Sequence, residues 1–245
     1  MNDKMPAGLE LLWGRLDGPA SEPRPGLSLS RIVRAAVEVA DVGGLDAVSM
    51  AKIAERLGFT TMSLYRHIKS KNELLLLMLD MVTAAPAELD EPGDDWRLGL
   101  LRWCRAQWVM LHAHSWIVHL PITGPPITPN QLVWTDRALR VLRDTGLTEA
   151  DKAGVVLLIA NYMLSTARLN TNLGPAASGE SVAAYSALLG GLVDAKRFPA
   201  LRTAIDAGAF DYPPDATEDE RQFDYRFGLN RILDGVAALI RSRAR

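Results

Sequence analysis

Between Thr60 and Lys71 the chain reads TTMSLYRHIKSK. The run holds aliphatic hydroxyls at Thr60, Thr61 and Ser63, a phenol at Tyr65, an imidazole at His67, and cations at Arg66, Lys69 and Lys71. It holds no carboxylate. Hydroxyls and cations packed this densely, with no acid among them, suit hydrogen bonding to phosphate oxygens and base edges. Leu64 and Ile68 lie four residues apart, so on a helix they share the inward face. That spacing leaves Thr61, Met62, Ser63, Tyr65, Arg66 and His67 pointing outward, with Met62 offering van der Waals contact only.

Such a set needs a rigid support, and the flanking residues supply the signals for one. Ser49 is a good N-cap. Met50, Ile53, Ala54 and Leu57 follow at three- and four-residue spacing, the stripe of an amphipathic helix. Gly58 suits a left-handed turn, which glycine adopts without steric cost. Phe59 is expected to plug the space behind it, and Thr60 or Thr61 to cap the next helix. Ser70-Lys71-Asn72-Glu73 has the form of a capping box, so a further helix starts there and runs to about Thr83. Two helices around a short glycine turn make a helix-turn-helix, whose second helix enters a major groove. Residues 27–73 carry seven Lys/Arg and five Asp/Glu. This segment is therefore net positive while the whole chain is −2, the footprint of a nucleic-acid reader on an acidic body.

The run from Leu29 to Met81 resembles the N-terminal domain of the tetracycline-repressor (TetR) family of bacterial transcription regulators. The resemblance rests on an apolar first helix ending at Gly43-Gly44, then Leu45, Val48-Ser49, Ile53-Ala54, Leu57-Gly58, Ser63-Leu64-Tyr65, His67 and Lys69-Ser70-Lys71. It implies an all-α homodimer that represses genes until a small molecule binds its C-terminal domain. It also implies roles for single residues. Ser49 matches a phosphate contact at the start of the second helix. Thr61, Met62 and Ser63 match base and backbone contacts. Tyr65 and His67 match positions that meet phosphate or a thymine methyl, and Lys71 matches a phosphate-binding lysine. Ala51 stands where the tetracycline repressors have a base-reading arginine, and Arg66 where they have tryptophan, so the operator should differ from theirs. The candidate DNA-contacting set is Ser49, Thr60, Thr61, Met62, Ser63, Tyr65, Arg66, His67 and Lys71.

Composition narrows the remaining classes. The chain has 245 residues, 48% hydrophobic and 23% charged, which is ordinary globular material with ample core. No apolar run reaches the ~18 residues of a membrane span; LLLLMLDMV is interrupted by Asp80. The N-terminus lacks the basic start and cleavage site of a signal peptide. The single cysteine, Cys104, excludes an internal disulfide framework. A cytoplasmic protein is expected. No glycine-rich phosphate loop, GxSxG or zinc motif appears, so neither enzymatic activity nor a cofactor is expected. His112 and His114 point to different faces of a helix, with no acid or cysteine at zinc spacing.

The expected fold is all-α: a three-helix helix-turn-helix DNA-binding domain and a larger helical domain for ligand binding and dimerisation. Residues 1–26, rich in proline and glycine, read as a flexible arm, with Leu9, Leu11, Leu12, Trp13 and Leu16 as a short helical patch. Arg15 and Arg24 are placed to reach a minor groove. Residues 27–83 form the reader, and 84–245 the C-terminal domain. In that body, helices are expected over about 95–113, 129–145, 149–171 and 218–243, with weaker ones within 181–208. The helix over 149–171 is apolar nearly all round, so more than one of its sides must be covered. The resemblance implies that it and the last helix form a four-helix dimer interface. A two-fold dimer sets half-sites ~34–36 Å apart on a palindromic operator. Four tryptophans fall between Trp96 and Trp116, with Trp134 on the next helix. They suit a packed core or an aromatic-lined cavity. Trp103, Gln107, Met110, His114, Trp134, Asn161 and Thr166 are the candidate ligand-binding residues. The expected partners are thus duplex operator DNA, a small-molecule effector and a second copy of the chain. The alternative is a helical small-molecule-binding or enzymatic protein whose helix-turn-helix serves only packing.

Overall fold

A computed structural model describes residues 7–14, 26–86, 95–121, 124–173, 179–211 and 223–244. The described residues are helical throughout, with no strand among them. They divide into two compact units, one within Met1–Ala167 and Val236–Arg245, the other within Arg168–Gly235.

In the first unit, α1 (Ala7–Trp13) and α2 (Leu29–Gly43) precede a 3-10 turn, Leu45–Ala47. The turn leads into α3 (Met50–Leu57), α4 (Thr61–Tyr65) and α5 (Lys71–Val82). Ser28 caps α2, its side chain accepting the Arg31 N–H. The inner stripe of α2, Ile32, Val33, Ala36, Val37 and Ala40, is buried, and α2 packs on α3 and α5. Arg56 on α3 reaches Glu38 on α2 through Nη2 at 2.6 Å, an exposed pair that fixes orientation more than stability.

Two sequence expectations change here. Ala7–Trp13 is a helix docked on α5, with Leu9 and Leu12 buried, because α5 keeps an apolar side that one neighbouring helix cannot cover. The rest of the expected arm, residues 1–6 and 15–25, including Leu16, Arg15 and Arg24, lies outside the described residues. Phe59 is exposed, since the space behind the turn is already filled by Leu64 and Ile68.

The body begins with α6 (Trp96–Ala113), capped by Asp95. A 3-10 turn over Ser115–His119 follows, then α7 (Pro129–Val141) and α8 (Glu149–Leu173). Helix α7 stops four residues before the expected Thr145; Gly146 supplies the left-handed turn, at φ 74°. Thr148 and Asp151 cap α8 reciprocally. On α8, Val155, Val156, Ile159 and Met163 are buried, but Leu157 is 62% exposed and Leu158 is exposed too. The helix is therefore covered on one side only within a single chain. Arg243, at the end of α11 (Phe223–Arg243), grips Asp151 through both oxygens. The Arg243 guanidinium, with Thr148, holds the Asp151 carboxyl below the usual carboxylate range.

In the second unit α9 (Gly179–Leu192) packs on α10 (Pro199–Asp206). The expected cap of the last helix, residues 217–220, lies outside the described residues. Along α11 the buried stripe is Tyr225, Leu229, Leu233 and Val236, whereas Phe227 is exposed.

Reader and body are joined at α5. The buried Asp80 accepts the backbone N–H of Asn130 through Oδ1 at 2.9 Å, and Asn130 Nδ2 donates to the Asp80 carbonyl at 2.8 Å. Asp80 thus caps α7 from another helix, a task the side chain of its own N-cap, Thr128, leaves undone. Trp134 Nε1 donates to the Thr83 carbonyl at 2.7 Å, and Trp103 Nε1 to the Trp134 carbonyl at 3.0 Å. A second junction lies at the far end of α2, where Asp41 Oδ1 accepts Trp116 Nε1 at 2.7 Å and pairs with His114 Nδ1 at 2.8 Å.

Two outcomes test this packing. Asp80→Ala strands the Asn130 backbone N–H, while Asn130 Nδ2 keeps the backbone carbonyl it donates to, and should lower stability by about 1–3 kcal/mol in chemical denaturation; Asp80→Asn, which keeps an acceptor, should cost less. Burial pushes the Cys104 thiol up to about 12. The native protein should therefore resist alkylation at neutral pH and react only once unfolded, as a timed thiol assay would show.

Candidate nucleic-acid interface

Three helix starts converge on one face of the reader. Ser49 accepts the Lys52 N–H at 3.2 Å, Thr60 the Ser63 N–H at 3.3 Å, and Ser70 the Glu73 N–H at 3.1 Å. Each cap satisfies one first-turn donor and leaves others facing out at the positive end of a helix. Gly58 (φ 73°, ψ 30°) ends α3 in the left-handed region, and α4 packs on α3 through the fully buried Leu64.

Between these starts lies a concave notch of about 420 Å³. Ser49, Thr61, Tyr65 and Lys71 supply its polar lining, and Val48, Met50, Ala51 and Leu74 its apolar lining. Hydroxyls, a phenol, an ammonium and helix-start amides around one hollow can hold a phosphate group by charge-assisted hydrogen bonds. Four residues expected to contact DNA are thereby brought together from three different helices.

The others extend the same face. Met62 is 71% exposed, and Tyr65, Arg66 and His67 are exposed as well. The Thr60 and Ser63 hydroxyls share a hydrogen bond at 3.0 Å, so each is partly engaged in capping. Helix α4 itself ends at Tyr65, and Arg66 and His67 sit in the turn that follows. Within 60–73 the only acid, Glu73, is 7% exposed and turned away, its Oε2 accepting the Lys69 N–H at 2.8 Å. The capping box therefore closes on Lys69 rather than on Ser70. Within 60–73, therefore, the side chains presented to solvent include cations and no acid.

The candidate ligand-binding residues differ in burial and in partners. Trp103 and Trp134 are buried edge to face, with ring centroids 6.2 Å apart and both indole donors spent on backbone carbonyls. They belong to the joint between α5, α6 and α7. His114 is engaged with Asp41. Gln107 and Met110 are half-buried on α6. Asn161 is exposed and donates to the Leu157 carbonyl; the Thr166 hydroxyl donates to the Tyr162 carbonyl. His112 lies against its own helix, Nδ1 at 2.9 Å from the Trp108 carbonyl.

Asp41, Asp80 and Asn130 escaped the sequence reading as joint residues. For Asp80 a signal existed: it is the lone acid inside the apolar run LLLLMLDMV, and a buried carboxylate requires a partner.

Comparison with known proteins agrees with this geometry over nearly the whole chain. The profile "Bacterial regulatory proteins, tetR family" matches residues 32–78. "Tetracyclin repressor-like, C-terminal domain" matches residues 88–240. The chain is 34% identical to the HTH-type transcriptional repressor DrrR1 of Streptomyces coeruleorubidus, covering 96% of this chain and 86% of that one. It is 31% identical to the class A tetracycline repressor protein from transposon 1721 of Escherichia coli, covering 86% and 91%. Among solved structures, ActR of Streptomyces coelicolor in complex with actinorhodin superposes with a TM-score of 0.73 at 28% identity, covering 88% of this chain and 99% of that one. With a helix-turn-helix that presents its hydroxyls and cations outward, and a C-terminal profile spanning most of the body, the chain belongs to the TetR family of bacterial transcription regulators.

Proposed function

We propose that the protein is a homodimeric repressor that grips a palindromic operator with two copies of α4 and releases it when a small molecule occupies the body. The observation that carries the reading is the notch: Ser49, Thr61, Tyr65 and Lys71 meet there, and no acid lines it. Residues 27–83 serve as the reader and 84–245 as the effector and dimerisation domain. The chain acts in the cytoplasm, by binding alone. A purely structural helix-turn-helix would gain by covering Met62 and Tyr65, which this one leaves in solvent.

Repression follows the similarity to DrrR1 and to the tetracycline repressor protein. A small-molecule effector is supported by the likeness to ActR, whose solved complex contains actinorhodin, and a largely apolar one by the tryptophan-rich composition of the body. Dimerisation is supported by the uncovered Leu157 and Leu158 on α8. The route from effector to DNA is α5. Its twelve residues span about 18 Å. A tilt of about 10° about the Asp80 end would carry the Lys71 end by roughly 2 Å, beyond hydrogen-bond tolerance. Effector binding then needs to favour the released form by only about 1–3 kcal/mol to weaken the operator complex.

A duplex selected from a random pool by the purified protein provides the test. Tyr65→Ala and Lys71→Ala should each weaken binding about tenfold while leaving helicity unchanged. Lys71→Ala should also reduce the salt slope of log K by about 1.8, because a dimer on a two-fold operator loses one phosphate contact in each half-site. Two folded variants binding like wild type would overturn the assignment of this face. Leu157→Arg should yield a monomer by sedimentation and abolish tight operator binding; an unaltered dimer would show that α8 does not form the interface.

A further inference from the structure

Helix α1 lies on the half of α5 that carries the DNA-facing lysine. Leu9 and Leu12 are buried, and Gly8 approaches so closely that a Cβ there would meet Glu73 Cγ and Leu76 Cδ2, each at 3.2 Å. Only glycine allows this approach without displacing a neighbour. The residue beneath it, Glu73, is the one whose carboxylate accepts the Lys69 N–H and so fixes the turn between α4 and Lys71. At the other end of α1, Trp13 Nε1 donates to the Ile127 carbonyl at 3.1 Å, just ahead of α7. The helix is therefore pinned to both α5 and the approach to α7.

We propose that α1 is a positioning element for DNA binding that acts through Glu73. With α1 docked, the carboxylate is confined to the Lys69 N–H. The α4–α5 turn then holds one shape, and Lys71 stands beside Tyr65 and Thr61 at the notch. Docking also keeps a negative charge covered on a face that must meet phosphate. Once α1 lifts, Glu73 gains freedom and solvent, the turn loosens, and a carboxylate two residues from Lys71 is uncovered. Gly8, Leu9 and Leu12 thus serve the interface without touching DNA. This inference rests on the assignment of Lys71 to the DNA face.

The test is a double-mutant cycle on the intact chain, using the same selected duplex. Leu9→Ser combined with Leu12→Ser undocks α1 and leaves residues 49–73 unchanged. In that background operator affinity should fall about tenfold, the salt slope should flatten by about two contacts, one in each half-site, and Lys71→Ala should then cost less than twofold. In the docked chain Lys71→Ala should cost about tenfold. If Lys71→Ala costs the same factor in both backgrounds, or the undocked chain binds as wild type, α1 does not act through this turn and the inference is overturned. If Lys71→Ala is silent even in the docked chain, the assignment of the DNA face fails, and the inference with it. Should the double serine variant not fold, Glu73→Ala and Glu73→Gln decide. Alanine should reproduce the loss, and glutamine, which keeps an acceptor for the Lys69 N–H, should recover most of it; equal affinities for the two would overturn the inference.

Discussion

Asp80 is a carboxylate buried at the end of a helix that is otherwise mostly leucine and methionine. Burying an unpaired charge is costly, and Asp80 avoids that cost by meeting the first-turn amide and side chain of Asn130 at the start of α7. A negative group at a helix start also gains from the positive end of that helix. One side chain thereby ties the helix that leads out of the reader to the first layer of the body. The Trp103–Trp134–Thr83 relay beside it extends the tie to α6. Alternatives to these bonds would leave buried donors without acceptors, so the joint favours one arrangement or a discrete second one rather than a continuum.

Functional geometry follows from that constraint. The notch is assembled from α3, α4 and α5, and α5 is the member held by the body. A reader whose third wall is anchored elsewhere can be brought in or out of register by whatever repositions the anchor. The Asp41 junction with His114 and Trp116 adds a second attachment, at the opposite end of α2. The exposed ion pairs, such as Arg56 with Glu38, contribute orientation and little else.

Glu73 shows how local and distant demands meet in one residue. Its spacing from Ser70 marks a helix start, and its carboxylate restrains the turn before that start. The same carboxylate would repel phosphate if left in solvent, and α1 lies over it.

Much of this was legible in the sequence. The helix-turn-helix, its caps at Ser49, Thr60 and Ser70, the left-handed Gly58 and the inward Leu64 and Ile68 all depend on partners within about four residues. Spacing along a chain dictates such contacts directly. Features that depend on a partner fifty or more residues away were not legible in this way. Examples are the pairing of Asp80 with Asn130, the capture of His114 by Asp41, and the bond from the Trp134 indole to the Thr83 carbonyl. The docking of α1 and the exposure of Phe59 belong with them, since each depends on which apolar surface its neighbours had already covered. Local order was set by the residues themselves through hydrogen bonds and period. Which polar groups met across the fold was decided only by helix packing, because many partners satisfy the same chemistry and only geometry selects one.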